Sequence, residues 1–245
     1  MSATNKGAVM NAFVKYVSVS LIVILMSVIS INAATLGERY AGLTFGAYRP
    51  GDEFIRSIDE IGVNYGAQLR LPIVKHVDFY AIVSQTELEG DYLFPLGPEY
   101  NYATLLFDCE MESLTASAQL HFSILPDSVV NPFLGVGVVY ADTSIDATTF
   151  GVTGSLEGDG VGAGVMLGAE FNLTDVFSIV PAVLYVSEIF EETSPELAMS
   201  YKYGDDFGAN LSINCWADII LLQLSGAYYF ETEDAQANVS ASIRF

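Results

Sequence analysis

Residues 237–245 read ANVSASIRF, and apolar and polar residues alternate through them without a break. Because successive side chains of a β-strand point to opposite faces, this segment predicts a strand with two chemically different faces. One face carries the apolar residues Ala237, Val239, Ala241, Ile243 and Phe245. The other carries Asn238, Ser240, Ser242 and Arg244. Chain ends usually fray, so a pattern this regular indicates that the segment is held in a sheet.

The same two-residue period recurs along the chain, in segments close to the 9–11 residues that a tilted strand needs to cross a bilayer. The clearest is 61–71 (IGVNYGAQLRL). The weakest is 176–187, because Pro181 lacks the N–H that a strand ladder uses. Together they predict ten strands, at 40–48, 61–71, 77–87, 114–124, 132–141, 161–171, 176–187, 209–216, 219–230 and 235–245.

The connections between these segments alternate in length. Those at 72–76, 125–131, 172–175 and 217–218 are short, whereas those at 49–60, 88–113, 142–160 and 188–207 are long. The last connection, 231–234, is short. An even strand number with short turns at one end and long loops at the other is typical of outer-membrane barrels. The sequence therefore predicts an all-β fold at 35–245: a closed antiparallel up-and-down transmembrane β-barrel with long acidic extracellular loops.

The charge distribution supports a membrane-embedded barrel. Nine Lys and Arg face 30 Asp and Glu, for a formal net charge of −21, and 16% of the residues are charged. Most of the acidic residues fall in the predicted loops, which leaves few charges for a lipid-facing wall. A soluble exported barrel is the alternative fold, but its water-exposed face would carry Lys, Glu and Arg, whereas Gly, Ser, Thr, Asn and Gln dominate here. The shortage of cationic residues argues against nucleic acid as a partner.

Residues 1–34 have the pattern of a cleaved secretory signal peptide. Lys6 and Lys15 supply positive charge, residues 16–31 form an apolar run, and Ala33 and Ala34 follow where cleavage is expected. The run is shorter than the ~20 residues that a membrane-spanning helix needs, which disfavours an uncleaved anchor. We therefore expect an exported protein, integral to the bacterial cell outer membrane.

Three features resemble the small outer-membrane β-barrel families of the OmpA transmembrane-domain and OmpW kind. The chain ends in an aromatic residue, Phe245, after an alternating strand. Residues 131–140 (NPFLGVGVVY) are similar to a Pro-aromatic-x-Gly-x-Gly segment of those families, and 168–175 (GAEFNLTD) look like the strand-to-turn segment that follows. The resemblance implies a porin-family type of barrel with eight strands as the alternative to ten. It also implies that the barrel-assembly machinery reads Phe245, and that outer-membrane lipid and lipopolysaccharide surround the barrel.

Four polar-face residues form a predicted charged cluster in the periplasmic half of the lumen: Arg70, His121, Glu170 and Arg244. Because buried charges need partners, we expect Glu170 to lie between Arg70 and Arg244 as a salt-bridged plug. The interior of a barrel of about eight strands is only just wide enough for its side chains, which favours this interpretation. The alternative is a gating or selectivity cluster in a narrow passive pore for ions or small solutes.

Catalysis has little support. His121-Phe-Ser123 has the His-x-Ser spacing of some outer-membrane lipid A deacylases, but the pair would face the lumen near the periplasm. A protease would need clustered Asp and His near the outer rim, whereas His76 falls in a short turn and His121 low in the barrel. We therefore expect no enzyme and no cofactor. Neither zinc-ligand nor EF-hand spacing is present, so no dedicated metal site is expected.

The predicted outer loops suggest the role. Residues 88–113 mix acidic with aromatic side chains, which predicts a solvated, self-repelling surface. The alternative is a surface that holds divalent cations and bridges to lipopolysaccharide or a host ligand. The expected function is structural or surface-exposed, in membrane integrity, adhesion or ligand contact. Cys109 would lie in this loop and Cys215 near the periplasm, so no disulfide between them is expected.

Overall fold

The computed structural model describes residues 39–51, 55–56, 61–95, 104–150, 152–194 and 199–245. Residues 1–34, where the signal peptide is expected, lie outside these ranges, and that expectation stays a prediction. Within the described ranges, no helix is both long enough and apolar enough to span a membrane.

The described residues form a closed antiparallel β-barrel of ten strands and a separate two-stranded hairpin. The strands are β1 (Tyr40–Arg49), β2 (Gly62–Val74), β3 (Val77–Pro95), β4 (Thr104–Ser123), β5 (Val130–Thr149), β6 (Val152–Thr174), β7 (Phe177–Val186), β8 (Phe190–Ser194), β9 (Met199–Tyr203), β10 (Asp206–Ala217), β11 (Ile220–Tyr229) and β12 (Ala235–Arg244). Strands β8 and β9 make the hairpin, and the other ten make the barrel in chain order. The ten strands that the alternation predicts are confirmed. We call the end with the short turns after β2, β4, β6 and β10 the inner end, and the opposite end the outer end.

Strand β12 closes the barrel against β1, with Phe45 opposite Val239 and Tyr40 opposite Arg244. The two faces of β12 differ as its sequence predicts. Val239 is 59% exposed on the outside, whereas Ser242 is 1% exposed on the inside. This pairing leaves no open edge in the sheet. A closed sheet is required in lipid, because lipid cannot hydrogen-bond to unpaired backbone groups.

The barrel is apolar on its outside over the part nearest the inner end. The exposed large apolar side chains of this belt include Leu43, Phe45, Val136, Leu167, Leu211 and Leu224. In β3 the belt covers about the 9–11 residues that a tilted strand needs to cross a bilayer, and it ends at Glu87. The belt is the surface that a membrane-spanning barrel presents to lipid.

Strands β3 to β6 are longer than this belt, and both of their faces reverse polarity beyond it. In β3 the outward face changes from apolar residues to Glu87 and Glu89, while the inward face changes from Ser84 and Thr86 to the buried Leu88. The other three strands change in the same way, with Met111, Ile145 and Leu156 buried on the inward face. Apolar inside and charged outside is the arrangement of a sheet that faces water. The four strands therefore extend beyond the belt as a water-facing sheet.

The long loops expected at 88–113 and 142–160 are mostly strand. β3 continues to Pro95 and β4 begins at Thr104, while only residues 150–151 separate β5 from β6. The alternation continues through both segments, as in residues 109–112 (CEME), but the acidic residues now face outward and the apolar ones inward. Much of the acidic surface therefore lies on strands rather than in loops.

The connection between β7 and β10, for which the sequence pattern predicts a long loop, contains the β8–β9 hairpin. Phe190 and Tyr201 of this hairpin are 6% and 7% exposed, because they pack against the apolar inward face of the extended strands. Their cluster also contains Tyr48, Ile55, Leu88, Met111, Ala141, Ile145 and Leu156. The hairpin thus fills the outer end of the lumen.

Candidate functional site in the barrel lumen

The inner end of the lumen is organised around the ion pair of Arg70 and Asp78. Arg70 Nη2 lies 2.6 Å from Asp78 Oδ2, and Nε donates to the same oxygen at 3.0 Å. Side chains of the pair are 29% and 15% exposed. The register explains the pairing, since Pro72 lies opposite Asp78 and places Arg70 one inward position away. Among the described residues, the ion partner of Arg70 is therefore Asp78 rather than Glu170.

Glu170 and Arg244, the other two charged residues of the predicted cluster, have different hydrogen-bond partners. Glu170 accepts a hydrogen bond from Ser178 Oγ at 3.1 Å. Arg244 lies with its guanidinium carbon 4.9 Å from the centre of the Trp216 ring, and its Nη2 donates to the Asp218 carbonyl at 2.6 Å. Glu170 is within electrostatic range of Arg70, but the ion pair of Arg70 is with Asp78. Whether these residues act as a plug or as part of a pore stays a prediction.

His121 is enclosed by aromatic rings. Its ring stacks on Phe133 with 5.3 Å between centroids and an 11° interplanar angle, and Tyr80 lies 5.3 Å away on a tilted plane. Nε2 of His121 is 3.1 Å from Gln119 Oε1. The Ser123 hydroxyl accepts from Asn131 Nδ2 at 3.4 Å. The hydrogen-bond partners of His121 and Ser123 are thus other residues, which is not the geometry of a nucleophile and its base.

Bulky side chains at the same level pack across the inner end. Tyr40 is 5% exposed, Phe133 7% and Leu221 2%. Trp216 lies edge-on to Tyr40, with 6.0 Å between centroids. In a wide water-filled channel the inward side chains at this level would be exposed, so their burial indicates a filled inner end.

A chamber of about 330 Å³ occupies the lumen. Its charged lining residues lie near its two ends, with Arg70 and Glu170 at the inner end and Lys202, Asp206 and Asp234 at the outer end. Between them the wall presents hydroxyl and amide groups that hydrogen-bond to one another, together with apolar side chains such as Met111, Val139 and Leu184. Asn64 Nδ2 donates to Thr86 Oγ1 at 3.1 Å, the hydroxyls of Ser84 and Thr115 are 2.7 Å apart, and Gln223 Nε2 donates to Asn214 Oδ1 at 3.0 Å. These groups hold no formal charge and can both donate and accept.

Glycines of β6 form a groove that receives the hairpin. A Cβ atom at Gly158 would lie 2.5 Å from ring carbons of Phe190, and one at Gly160 would lie 2.4 Å from the carbonyl oxygen of Ile189. Carbon atoms do not approach other heavy atoms so closely, so only glycine permits this contact. At the base of the hairpin, Gly204 and Asp205 adopt positive φ angles of 89° and 56°. The glycines of β6 and the positive φ angles at the base of the hairpin therefore allow the hairpin to pack against the wall.

Carboxylates face one another across the outward surface of the extended strands. Glu110 lies opposite both Glu89 and Asp146, and Asp142 lies opposite Asp159. Desolvation, together with the neighbouring carboxylates, raises the pKa of Glu110. Over the described part of the chain, no group of three or more His, Cys, Asp or Glu side chains is placed to hold a metal ion. The expectation of bound divalent cations at this surface stays a prediction.

Both cysteines are free, and they lie toward opposite ends of the barrel. Cys109 is buried on the inward face of the extended sheet, not in a loop. Desolvation there, with Asp108 and Asp91 nearby, raises the pKa of the Cys109 thiol to about 11. Cys215 is exposed on the apolar outside of β10.

Sequence reasoning missed Asp78 and the hairpin, although each has a signal. Asp78 is the second residue of β3, which begins directly after the two-residue turn at 75–76, so an inward acid near Arg70 follows once the turn is placed. The hairpin is signalled by Gly158, Gly160 and Gly162, which alternate on one face where the extended strands otherwise carry apolar residues. A row of inward glycines predicts the close approach of another chain segment.

The sequence matches no family model and no curated protein. In structure it is similar to the translocator domain of the autotransporter NalP from Neisseria meningitidis, with 9% identity over 96% of this chain and 98% of that one and a TM-score of 0.55. It also aligns with the outer membrane protein OprG from Pseudomonas aeruginosa, with 12% identity over 86% of this chain and 96% of that one and a TM-score of 0.42. A third alignment is with Ail, the attachment invasion locus protein of Yersinia pestis, with 13% identity over 85% of this chain and 100% of that one and a TM-score of 0.38. At these identities the likeness shows the fold alone. The chain has the closed β-barrel fold of outer-membrane proteins.

Proposed function

We propose that this protein is a non-conducting barrel of a bacterial outer membrane, with a structural and surface-exposed role. The observation that carries the proposal is the filling of the lumen at both ends. Bulky residues around Arg70 and Asp78 pack across the inner end, and the β8–β9 hairpin packs into the outer end. A solute would have to displace one or both to pass.

The exterior of the barrel supports the membrane location and the orientation. The apolar belt suits lipid, whereas the acidic sheet beyond it suits water. We place the inner end in the periplasm and the extended strands outside the cell, where they would meet lipopolysaccharide, divalent cations or a host ligand. Delivery by the signal peptide and insertion by the barrel-assembly machinery, with Phe245 as part of the signal, belong to the same proposal.

We also propose that the protein is not an enzyme. His121 is hydrogen-bonded to Gln119 and stacked on Phe133, and the Ser123 hydroxyl accepts a hydrogen bond from Asn131, so each has a partner other than the other residue of the proposed pair. The lipid A deacylase and protease hypotheses are tested by incubating the refolded protein with lipid A and with peptides. Product formation that requires His121 would contradict the proposal.

Conductance of the refolded full-length chain in planar lipid bilayers tests the non-conducting barrel. Folded protein, identified by its heat-modifiable migration on a gel, should give no current steps above background. Reproducible steps would overturn the proposal and favour the narrow passive pore. In that case Glu170→Gln, which removes a charge from the chamber lining, should shift ion selectivity.

A further inference from the structure

We propose that the chamber is a binding site for a small, uncharged, hydroxyl-bearing molecule such as a neutral sugar, and that the β8–β9 hairpin is its outer lid. The site would be a cup that is closed at the inner end and opens outward when the hairpin leaves the groove at Gly158 and Gly160. The inference rests on the inner closure of the proposed non-conducting barrel, but it assigns the lumen a function that the surface role does not include.

The chemistry of the wall selects the ligand class. A volume of about 330 Å³ lies within the range of ligand pockets, which is roughly 300–1,000 Å³. Hydroxyl and amide pairs such as Ser84 with Thr115 can exchange their mutual hydrogen bonds for bonds to ligand hydroxyls. Tyr48 and Tyr229 add apolar ring surface to the same wall. A charged ligand would meet no counter-charge along the middle of this wall, and burying an unpaired charge is costly.

The hairpin has the features of a lid. It belongs to its own two-stranded sheet, so its removal breaks no hydrogen bond between barrel strands. Its base carries the positive φ angles of Gly204 and Asp205 and is held by Lys202, whose Nζ lies 2.8 Å from Asp205 and 3.5 Å from Glu188. Strand β8 and the preceding Ile189 pack in a groove that glycines of β6 keep open. A change at the groove should therefore release the hairpin without opening the barrel.

A single cysteine in the chamber wall reports access. Ser225 lines the chamber on β11, and Ser225→Cys is introduced into a chain in which Cys109→Ala and Cys215→Ala remove the native thiols. The rate of reaction with N-ethylmaleimide is measured on the folded, full-length protein in lipid vesicles. Gly160→Ala forces a methyl group against the Ile189 carbonyl and should raise this rate about tenfold.

Gly164→Ala is the matched control. Gly164 lies on the same face of β6, but its added Cβ would meet Val139 at 3.2 Å and no hairpin atom within 4 Å among its three nearest neighbours. It should leave the rate unchanged. Equal rates in the Gly160→Ala and Gly164→Ala proteins would overturn the lid.

Protection of Ser225→Cys from labelling by a bound sugar tests the ligand class. Glucose should slow the labelling of the Gly160→Ala protein severalfold, whereas gluconate, similar in size but anionic, should not. Protection by both or by neither would overturn the neutral-sugar assignment. Bilayer conductance of the Gly160→Ala protein separates this inference from the proposed function, because a current there would show a failed inner closure and not a failed lid.

Discussion

Asp78→Asn should destabilise the barrel more than Glu170→Gln does. The first change leaves the guanidinium of Arg70 without its ion partner in a partly buried site, whereas the second keeps an acceptor for Ser178 Oγ. Removing one partner of a fully buried ion pair costs about 3–5 kcal/mol, and an exposed pair is worth about 0–1 kcal/mol. Since the two side chains are 29% and 15% exposed, we expect a loss of about 2 kcal/mol for Asp78→Asn, between those limits, and less than about 1 kcal/mol for Glu170→Gln.

The chain carries its own reporter for this measurement. Trp216 is the single tryptophan, and it contacts Tyr40 and Arg244 at the inner end. Its fluorescence during urea unfolding and refolding in lipid vesicles gives the free energy of unfolding for each variant. Together with the two single variants, the double variant Arg70→Gln, Asp78→Asn completes a double-mutant cycle that isolates the interaction between Arg70 and Asp78.

A reversed order of the two variants would contradict the assignment of Asp78 as the ion partner of Arg70. A loss in Glu170→Gln larger than that in Asp78→Asn would mean that Glu170 is the working partner of Arg70. A coupling energy near zero in the cycle would mean that the ion pair contributes nothing to stability, despite its short contact.

Three further changes test other parts of the structure. Glu110→Gln should stabilise the extended sheet by about 1 kcal/mol, because it removes like-charge contacts with Glu89 and Asp146. Because the pKa of Glu110 is raised in the folded state, the folded protein keeps this proton to higher pH than the unfolded chain does. The free energy of unfolding should therefore rise as the pH falls through the interval between the folded and unfolded pKa values of Glu110. Glu110→Gln should reduce this pH dependence in unfolding experiments. Asp206→Ala removes the acceptor of three hydrogen bonds from residues 231–232 and should cost about 1–3 kcal/mol, with faster proteolysis of that turn. Phe245→Ala should lower the fraction of heat-modifiable folded barrel in cells, whereas Phe245→Tyr should not, and equal assembly of the two would contradict a role for the terminal aromatic ring.

The strands were predictable because their signal is local. Each face of a membrane strand meets one environment, so an unbroken alternation such as 237–245 fixes both the strand and its orientation. The seam between β1 and β12 follows, because lipid does not tolerate an unpaired edge. None of these steps needs knowledge of distant contacts.

The extended strands were missed for a different reason. Acidic composition predicts a loop there, although Glu110 and Glu112 alternate with Cys109 and Met111. The period is unchanged there and only the polarity is inverted, since the outward face meets water instead of lipid. Period and polarity are separate signals, and only the first reports secondary structure.

Partner choice in the lumen depends on register, which alternation does not give. Arg70 and Glu170 share the inward face, and sequence alone offers no distance between β2 and β6. The structure places Asp78 nearer, because β2 and β3 are joined by a two-residue turn at 75–76. The pairing of the adjacent strands β2 and β3 therefore determines which acidic residue lies next to Arg70.

The inverted polarity of β3 to β6 also sets the energy of the hairpin lid. Four strands with apolar inward faces would expose those faces to water beyond the membrane, so burial against Phe190 and Tyr201 stabilises the sheet and the hairpin together. Burying a large side chain contributes about 1.5–3 kcal/mol, so releasing these two rings costs about 3–6 kcal/mol. At about 1.4 kcal/mol per factor of ten, the lid would then be open for about 1% to 0.01% of the time. That population keeps the resting barrel closed, yet it lets a thiol reagent reach the chamber during repeated openings. A methyl group at Gly160, which costs the closed state about 1–3 kcal/mol, would raise the open fraction about 5- to 150-fold.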